Sequence, residues 1–400
     1  MSRRAPAVIL AVTLFILSAV LVWCLGPLRV EDQFSVVPVR FSVLSGWSDD
    51  SLGEAIHPLV VSCAALLKKP GVTTLGDQAF AGTVDDWRAP CEAAVMQTSD
   101  PAMARQFFET WFTPLAVEGY GSEQGLFTGY FVPLVEGNIT PGGGYDVPLY
   151  ARPADLVSVD LGQFRASLKG KRIAGRVERG RLQPYADRST ITAGALEEHN
   201  LELVWLKDPL DAFFMQVQGS GLIRLPEGDI IRLGYAGQNG HAYTSIGKVL
   251  VNRGEIALED VSMQRIRAWL QGHPDEREEI LNANASYVFF THQDGEGAIG
   301  SQGVVLTPGR SLAVDRTFIP LGAPVWLESG PENSVETEQT LRRLLIAQDT
   351  GGAIRGAVRG DVFWGAGVEP GEVAGKMRHK GRYFVLVPKA AAARLGGKIK

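Results

Sequence analysis

From Gly125 onward most of the chain is a succession of short apolar runs, each cut off by Gly, Pro, Asn or Asp. No long helix can be drawn through such punctuation, whereas strands of about five or six residues joined by tight turns fit it well. Glycine supplies 46 of the 400 residues and proline 22, against a usual glycine share of about 7%. No Gly-X-Y period or low-complexity tract accounts for the excess, so turn-rich β structure is expected. A composition 45% hydrophobic and 21% charged excludes a disordered chain, and the length allows two or three domains. The net charge of -5 supplies no overall basic field for nucleic acid.

The first 27 residues read as an export and anchoring segment. Arg3 and Arg4 precede an uncharged run from Ala5 to Leu25, 21 residues long. That is about the length needed to span a bilayer and longer than the ~7–15-residue core of a cleaved signal. An uncleaved inner-membrane anchor is therefore expected, with a cleaved signal or a lipoprotein as the alternatives. Cys24 follows bulky Trp23, an unusual neighbour for a lipidated cysteine. In the exported part Cys63 and Cys91 stand 28 positions apart, as one bridge in an oxidising compartment or as two buried thiols. The six histidines are scattered without metal-ligand spacing, so neither a metal nor a cofactor is expected.

Apolar spacing predicts a helix within 51–69, and Asp100-Pro101 reads as an N-cap followed by proline at the first helical position of a second. Gly125–Pro133 reads as a strand, and 136–144 as a turn-rich linker at a domain boundary. Strands are expected at 202–206, 212–220 and 229–236, then helices at 244–253, 259–270 and 274–283. Strands return at 286–291, 303–306, 323–328, 343–348 and 382–387. In 213–220 alternation would put Gln216, Gln218 and Ser220 on one strand face, opposite Phe213, Met215 and Val217.

Two constellations carry chemistry. In the first, an apolar run enters Asp349-Thr-Gly-Gly and, after 12 residues, reaches Asp361 between Gly360 and Val362-Phe363-Trp364; Asp315 lies 34 residues before Asp349. A carboxyl in apolar surroundings has its pKa raised and suits a general acid, although Asp at a turn also serves as a backbone acceptor. Aspartic proteases use Asp-Thr-Gly in pairs, and only one occurs here. The second constellation is uncharged and polar: Thr128, Tyr130, Gln216, Gln218 and Ser220, with Asn239 and Tyr243 in the block from Tyr235 to Lys248. Such groups suit a sugar, or simply a solvated sheet face. Gly219-Ser-Gly221 lacks the third glycine of a dinucleotide fingerprint.

Phe-Thr-Gly-Tyr-Phe-Val-Pro at 127–133, Phe-Met-Gln-Val-Gln-Gly-Ser-Gly at 214–221, the Gly-rich block at 234–247 and the three-aspartate C-terminal module together resemble the membrane-bound lytic murein transglycosylase A family. The resemblance implies a mainly β protein with some helices: a double-psi β-barrel built from two chain segments, with a smaller β-barrel domain inserted between them. It implies an anchor or signal at 1–27, a first barrel segment at 28–137, the insert at 138–284, a second segment (the 3D domain) at 285–390 and a tail at 391–400. Asp361 falls on the family's catalytic Asp and Asp349 on a nearby supporting one, with Asp315 structural. Thr128, Tyr130, Gln216, Gln218, Ser220, Asn239 and Tyr243 fall in segments that line or border the groove. The implied partner is the peptidoglycan glycan strand, met by a monomer in the periplasm of a Gram-negative bacterium. The implied reaction is cleavage of the β-1,4 MurNAc–GlcNAc bond to 1,6-anhydro-MurNAc ends in wall turnover. The rivals are a hydrolytic glycosidase using Asp361 and Asp349, and a non-catalytic, expansin-like glycan binder. The glycines are expected to line the groove and the psi loops more than the outer turns.

Overall fold

The computed structural model describes residues 34–168, 171–295, 297–331 and 340–395. The apolar run at 5–25 and Cys24 lie outside the described residues, among which no helix is long and apolar enough to cross a membrane. Strand β1 (Phe34–Pro38) is followed by helices α1 (Ile56–Leu66), α2 (Val84–Val95) and α3 (Pro101–Trp111). As expected, α3 starts at Asp100, whose side chain accepts from Met103 N with Pro101 behind it. Then come β2 (Phe112–Gly119), β3 (Gly125–Val132), β4 (Leu134–Asn138), β5 (Val147–Tyr150), β6 (Val157–Asp160), β7 (Arg172–Glu178), β8 (Arg181–Pro184) and β9 (Glu202–Leu206). Helix α4 (Pro209–Gln218), β10 (Ser220–Arg224), β11 (Ile230–Gln238), α5 (Ile246–Asn252), α6 (Met263–Gly272), α7 (Pro274–Asn282) and β12 (Val288–His292) complete the middle of the chain. The C-terminal part holds β13 (Ser311–Val314), β14 (Pro324–Pro331), β15 (Leu341–Asp349), β16 (Arg359–Ala366), α8 (Val368–Lys376) and β17 (Arg378–Pro388).

The strands make two barrels. One sheet runs β1-β2-β17-β14-β15-β13-β16-β3, and the 11-residue β17 turns back to pair with β3 as well. That second pairing closes a six-stranded barrel of β17, β14, β15, β13, β16 and β3, with β1 and β2 hanging from it. Two pairs in it are parallel, β13 with β15 and β16 with β3, which is the double-psi arrangement. The second sheet, β12-β11-β10-β4-β9-β5, curls until Ala151 bridges Phe290 beside its two outer strands. A three-stranded ribbon, β6-β7-β8, projects from this inserted unit. The chain crosses from one barrel to the other at Pro133, because β4 already pairs with β9 and β10. Gly142–Gly144, all at positive φ, therefore form a turn on the connection from β4 to β5, which flank β9 on its two sides, rather than the crossing.

The main core lies between the six-stranded barrel and the N-terminal helices, where Trp47, Trp87, Phe108, Phe112 and Trp326 are buried together. Cys63 on α1 and Cys91 on α2 are joined by a disulfide. A buried Arg310 clamps the N-terminal segment to the barrel: its two terminal nitrogens reach the Asp50 carboxylate at 2.7 and 2.9 Å, and one also reaches Glu54 at 2.9 Å.

Two expectations of strand fail. Residues 209–218 form a helix, with Asp208 accepting from Leu210 N, Pro209 at the first position and Gly219 at φ 80 closing it. Gln216 and Gln218 consequently point to different sides, Gln216 into the core. Residues 303–306 carry only an isolated Ile299–Val305 bridge between Gly303 and Pro308, and the strand comes later, at Ser311–Val314. Glycine placement is mixed as well. Gly121, Gly142, Gly143, Gly144 and Gly180 occupy outer turns with open space around them. Near the aspartates Gly129 and Gly360 permit close packing: a Cβ on Gly129 would stand 2.7 Å from the Trp364 ring and 2.8 Å from Ala374 Cα.

Candidate active site

Asp349 and Asp361 reach the same place from opposite sides of β13. In the barrel register Ala313 pairs with Asp349 on β15 and with Asp361 on β16. With strands about 4.8 Å apart, the two backbones stand roughly 10 Å apart, and their side chains converge over β13. Strand β3 lies beside β16 with Thr128 opposite Asp361. This parallel pairing, made between residues more than 200 positions apart, puts the Phe-Thr-Gly-Tyr motif against the second aspartate.

The two carboxyls have different surroundings. Asp349 accepts from Tyr130 Oη, Ser301 N, Ser301 Oγ and Thr350 N, all at 2.8 Å. Three of these donors converge on Oδ1, and the Tyr130 phenol holds Oδ2. Among the described residues, Thr128 Oγ1 is the one side-chain donor to Asp361, reaching Oδ1 at 2.6 Å. Burial raises its carboxyl to about 6, against the pull of the Arg359 cation and the Thr128 hydrogen bond, and the Asp349 charge adds to the rise. Burial, then Asp349 and more weakly Asp361, hold the Tyr130 phenol well above its ordinary range, so it stays a donor.

Arg359 was not singled out from sequence. Its Nη2 donates to Thr128 Oγ1 at 2.8 Å. A guanidinium only donates, so the Thr128 oxygen accepts from it and sends its single hydrogen to Asp361 Oδ1. Oδ1 is thereby held as an acceptor, and the dissociable proton of Asp361 belongs on Oδ2. The signal was the i, i+2 spacing of Arg359 and Asp361 on one strand face. Ser301, also missed, comes from the loop before β13.

Other expected residues divide. Ser220 borders a cleft of about 200 Å³ between the barrels, with Val132, Leu222, Leu306 and Phe363; Phe363 continues the Asp361 face of β16. Gln218 Oε1 accepts from Phe131 N at 3.2 Å and ties the insert to β3. Gln216 is 4% exposed, packed beside the Tyr287 phenol, with Oε1 unpartnered. Asn239 is fully buried: Nδ2 donates to the carbonyls of Ala186 and Ala285, and Oδ1 accepts from Tyr287 N and His241 N. All its polar capacity is spent on backbone, so its expected place at the groove does not hold. Tyr243 is 38% exposed, beside Arg188 and Ser245 within the insert. Asp315 is buried and accepts from Thr317 N and Gly356 N, a tie between two turns.

The chain matches the MltA specific insert domain over residues 126–291 and the 3D domain over 310–387. It is 37% identical over 291 residues to the membrane-bound lytic murein transglycosylase A of Escherichia coli K12, covering 72% of each chain, and 34% identical over 298 residues to that of Vibrio cholerae, covering 73% of each. The crystal structure of a membrane-bound lytic murein transglycosylase from Agrobacterium tumefaciens superposes with a TM-score of 0.81 at 34% identity, covering 90% of this chain and 99% of that one. The structure of E. coli MltA with bound chitohexaose gives a TM-score of 0.63 at 30% identity, covering 89% and 94%. With both domains matched and relatives at 34–37% identity covered over more than two thirds of their length, this chain belongs to the membrane-bound lytic murein transglycosylase A family.

Proposed function

We propose that this protein is a periplasmic, membrane-associated lytic transglycosylase that cleaves the β-1,4 bond between N-acetylmuramic acid and N-acetylglucosamine, with Asp361 as its single acid and base. The observation that carries this reading is the unequal supply of donors. Among the described residues Asp361 has one donor and a carboxyl raised to about 6, whereas Asp349 is engaged by four. Protonated Asp361 gives its Oδ2 proton to the glycosidic oxygen, and the C1–O bond breaks as an oxocarbenium-like centre develops. The resulting carboxylate takes the proton from the muramic C6 hydroxyl while that oxygen bonds to C1. The ring closes to the 1,6-anhydro sugar, the proton returns to Asp361, and no water is consumed.

A hydrolase would need a second carboxylate roughly 5–9.5 Å away, free to attack or to activate water. Asp349 is close enough to act on Asp361 electrostatically, but it is held in place by three donors on Oδ1 and by the Tyr130 phenol on Oδ2. Tyr130 and Ser301 hold it as a fixed negative neighbour, suited to stabilising a positive centre. The chitohexaose bound to the E. coli relative supports a glycan as the ligand of the groove.

The test is Asp361→Asn, assayed on purified sacculi by mass spectrometry. Anhydro-muropeptide release should fall at least about 1,000-fold while sedimentation with sacculi persists. Activity near that of the wild type would remove Asp361 from the role.

A further inference from the structure

The ribbon β6-β7-β8 is amphipathic, and both of its faces are largely open to solvent. In its register Val157 faces Gly175, Val159 faces Ile173, Gly175 faces Pro184, and Val177 faces Leu182. Directly paired residues share a sheet face, so these make one apolar face, and Ser158, Asp160, Arg172, Ala174, Arg176, Glu178, Arg181 and Gln183 make the other. The polar side meets the protein at Ala174, which packs against the buried Tyr150, Tyr185 and Tyr287 cluster with Gly240 against its backbone, while Ser158, Arg172, Arg176, Glu178, Arg181 and Gln183 on the same side are exposed. The apolar side looks outward, with Val157 38%, Ile173 43%, Val177 58% and Leu182 37% exposed, and Phe164 at 73% beside the ribbon's end. A contiguous exposed apolar patch marks a contact surface.

Charge narrows the partner. Residues 157–184 hold seven Lys or Arg and two Asp or Glu, in a chain whose net charge is -5. Arg165 and Lys171 lie toward one end of the ribbon and Arg179 and Arg181 at its hairpin tip, all exposed. Of the ribbon's cations Arg176 is paired with Glu178, at 2.6 Å. Branched aliphatic side chains bracketed by long cationic ones match a bilayer surface: the former enter the acyl boundary, and the latter lie along it and meet headgroup phosphates. A glycan strand offers no comparable apolar depth. We infer that this ribbon docks the enzyme on a bilayer rich in anionic phospholipid, independently of whatever residues 5–25 contribute.

Hydrogen exchange of the full chain, read peptide by peptide, tests this locally. Vesicles of phosphatidylcholine with one third phosphatidylglycerol should slow exchange over 157–184 at least about tenfold, and pure phosphatidylcholine should slow it far less. The double variant Ile173→Asp, Val177→Asp should lose that slowing while exchange over 288–314 stays as in the wild type, which checks the fold. No slowing on anionic vesicles would overturn the inference. So would equal slowing on both lipids, or slowing by soluble peptidoglycan fragments in place of vesicles. None of these outcomes depends on the glycan chemistry of the active site.

Discussion

Asp349 and Asp361 flank the same alanine, yet among the described residues one is surrounded by donors and the other has a single donor. The environment assigns the roles. A carboxylate that accepts four hydrogen bonds is held in place and holds others in place; a desolvated carboxyl with one oxygen fixed keeps a proton to give. Asp349 binds the 301 loop to β15 and orients Tyr130. Asp361 is half-buried on β16, with Thr128 beside it on β3.

That contrast predicts opposite effects on stability. Asp349→Asn puts an amide NH₂ where donors converge and should destabilise the fold by about 2–3 kcal/mol, read by urea denaturation. Activity should fall about 10- to 100-fold while some anhydro product remains. Asp361→Asn should stabilise. Its folded carboxyl ionises near 6 against an ordinary 3.8, so the unfolded state loses its proton first as pH rises from about 4. The native state then suffers a penalty that is complete above about 6, on the order of 2–3 kcal/mol at pH 7. The gain should therefore shrink to nothing below about pH 4. A destabilised Asp361→Asn at neutral pH would erase the contrast.

The smallest effect sharpens it most. The acid must be protonated, so the rate should be level below about pH 5 and fall about tenfold per unit above pH 6. Arg359→Met removes the cation and frees the Thr128 hydroxyl to turn. The alkaline limb should move up by about one unit, with about tenfold lower activity at the plateau, and Arg359→Lys should partly restore both. An unmoved limb would leave Arg359 as packing alone.

Turn residues announce short-stranded β structure, whereas the barrel architecture and the roles of the three aspartates follow from the family resemblance that the short motifs carry. Helix α4 was not, although Asp208-Pro209 repeats the Asp100-Pro101 signal that marked α3 correctly; its aromatic run at 213–215 mimicked strand alternation. Asn239 and Gln216 illustrate a second limit. A polar side chain in a Gly-rich block looks ready for a ligand, but here the backbone of a crowded barrel takes the amide of Asn239, and Gln216 is buried in a helix. Ser301 reaches Asp349 across a pairing of distant segments that local pattern does not encode. The cations of the ribbon escaped notice because they are spaced among apolar residues and form no run.

The central claim is that one carboxyl completes the reaction without water. Digestion of sacculi in water enriched in oxygen-18, followed by mass spectrometry of the muropeptides, tests it most directly. The account predicts products one water lighter than reducing-end muropeptides and free of the label. Reducing ends carrying oxygen-18 at C1 would make the protein a hydrolase and return Asp349 to the role of second carboxylate.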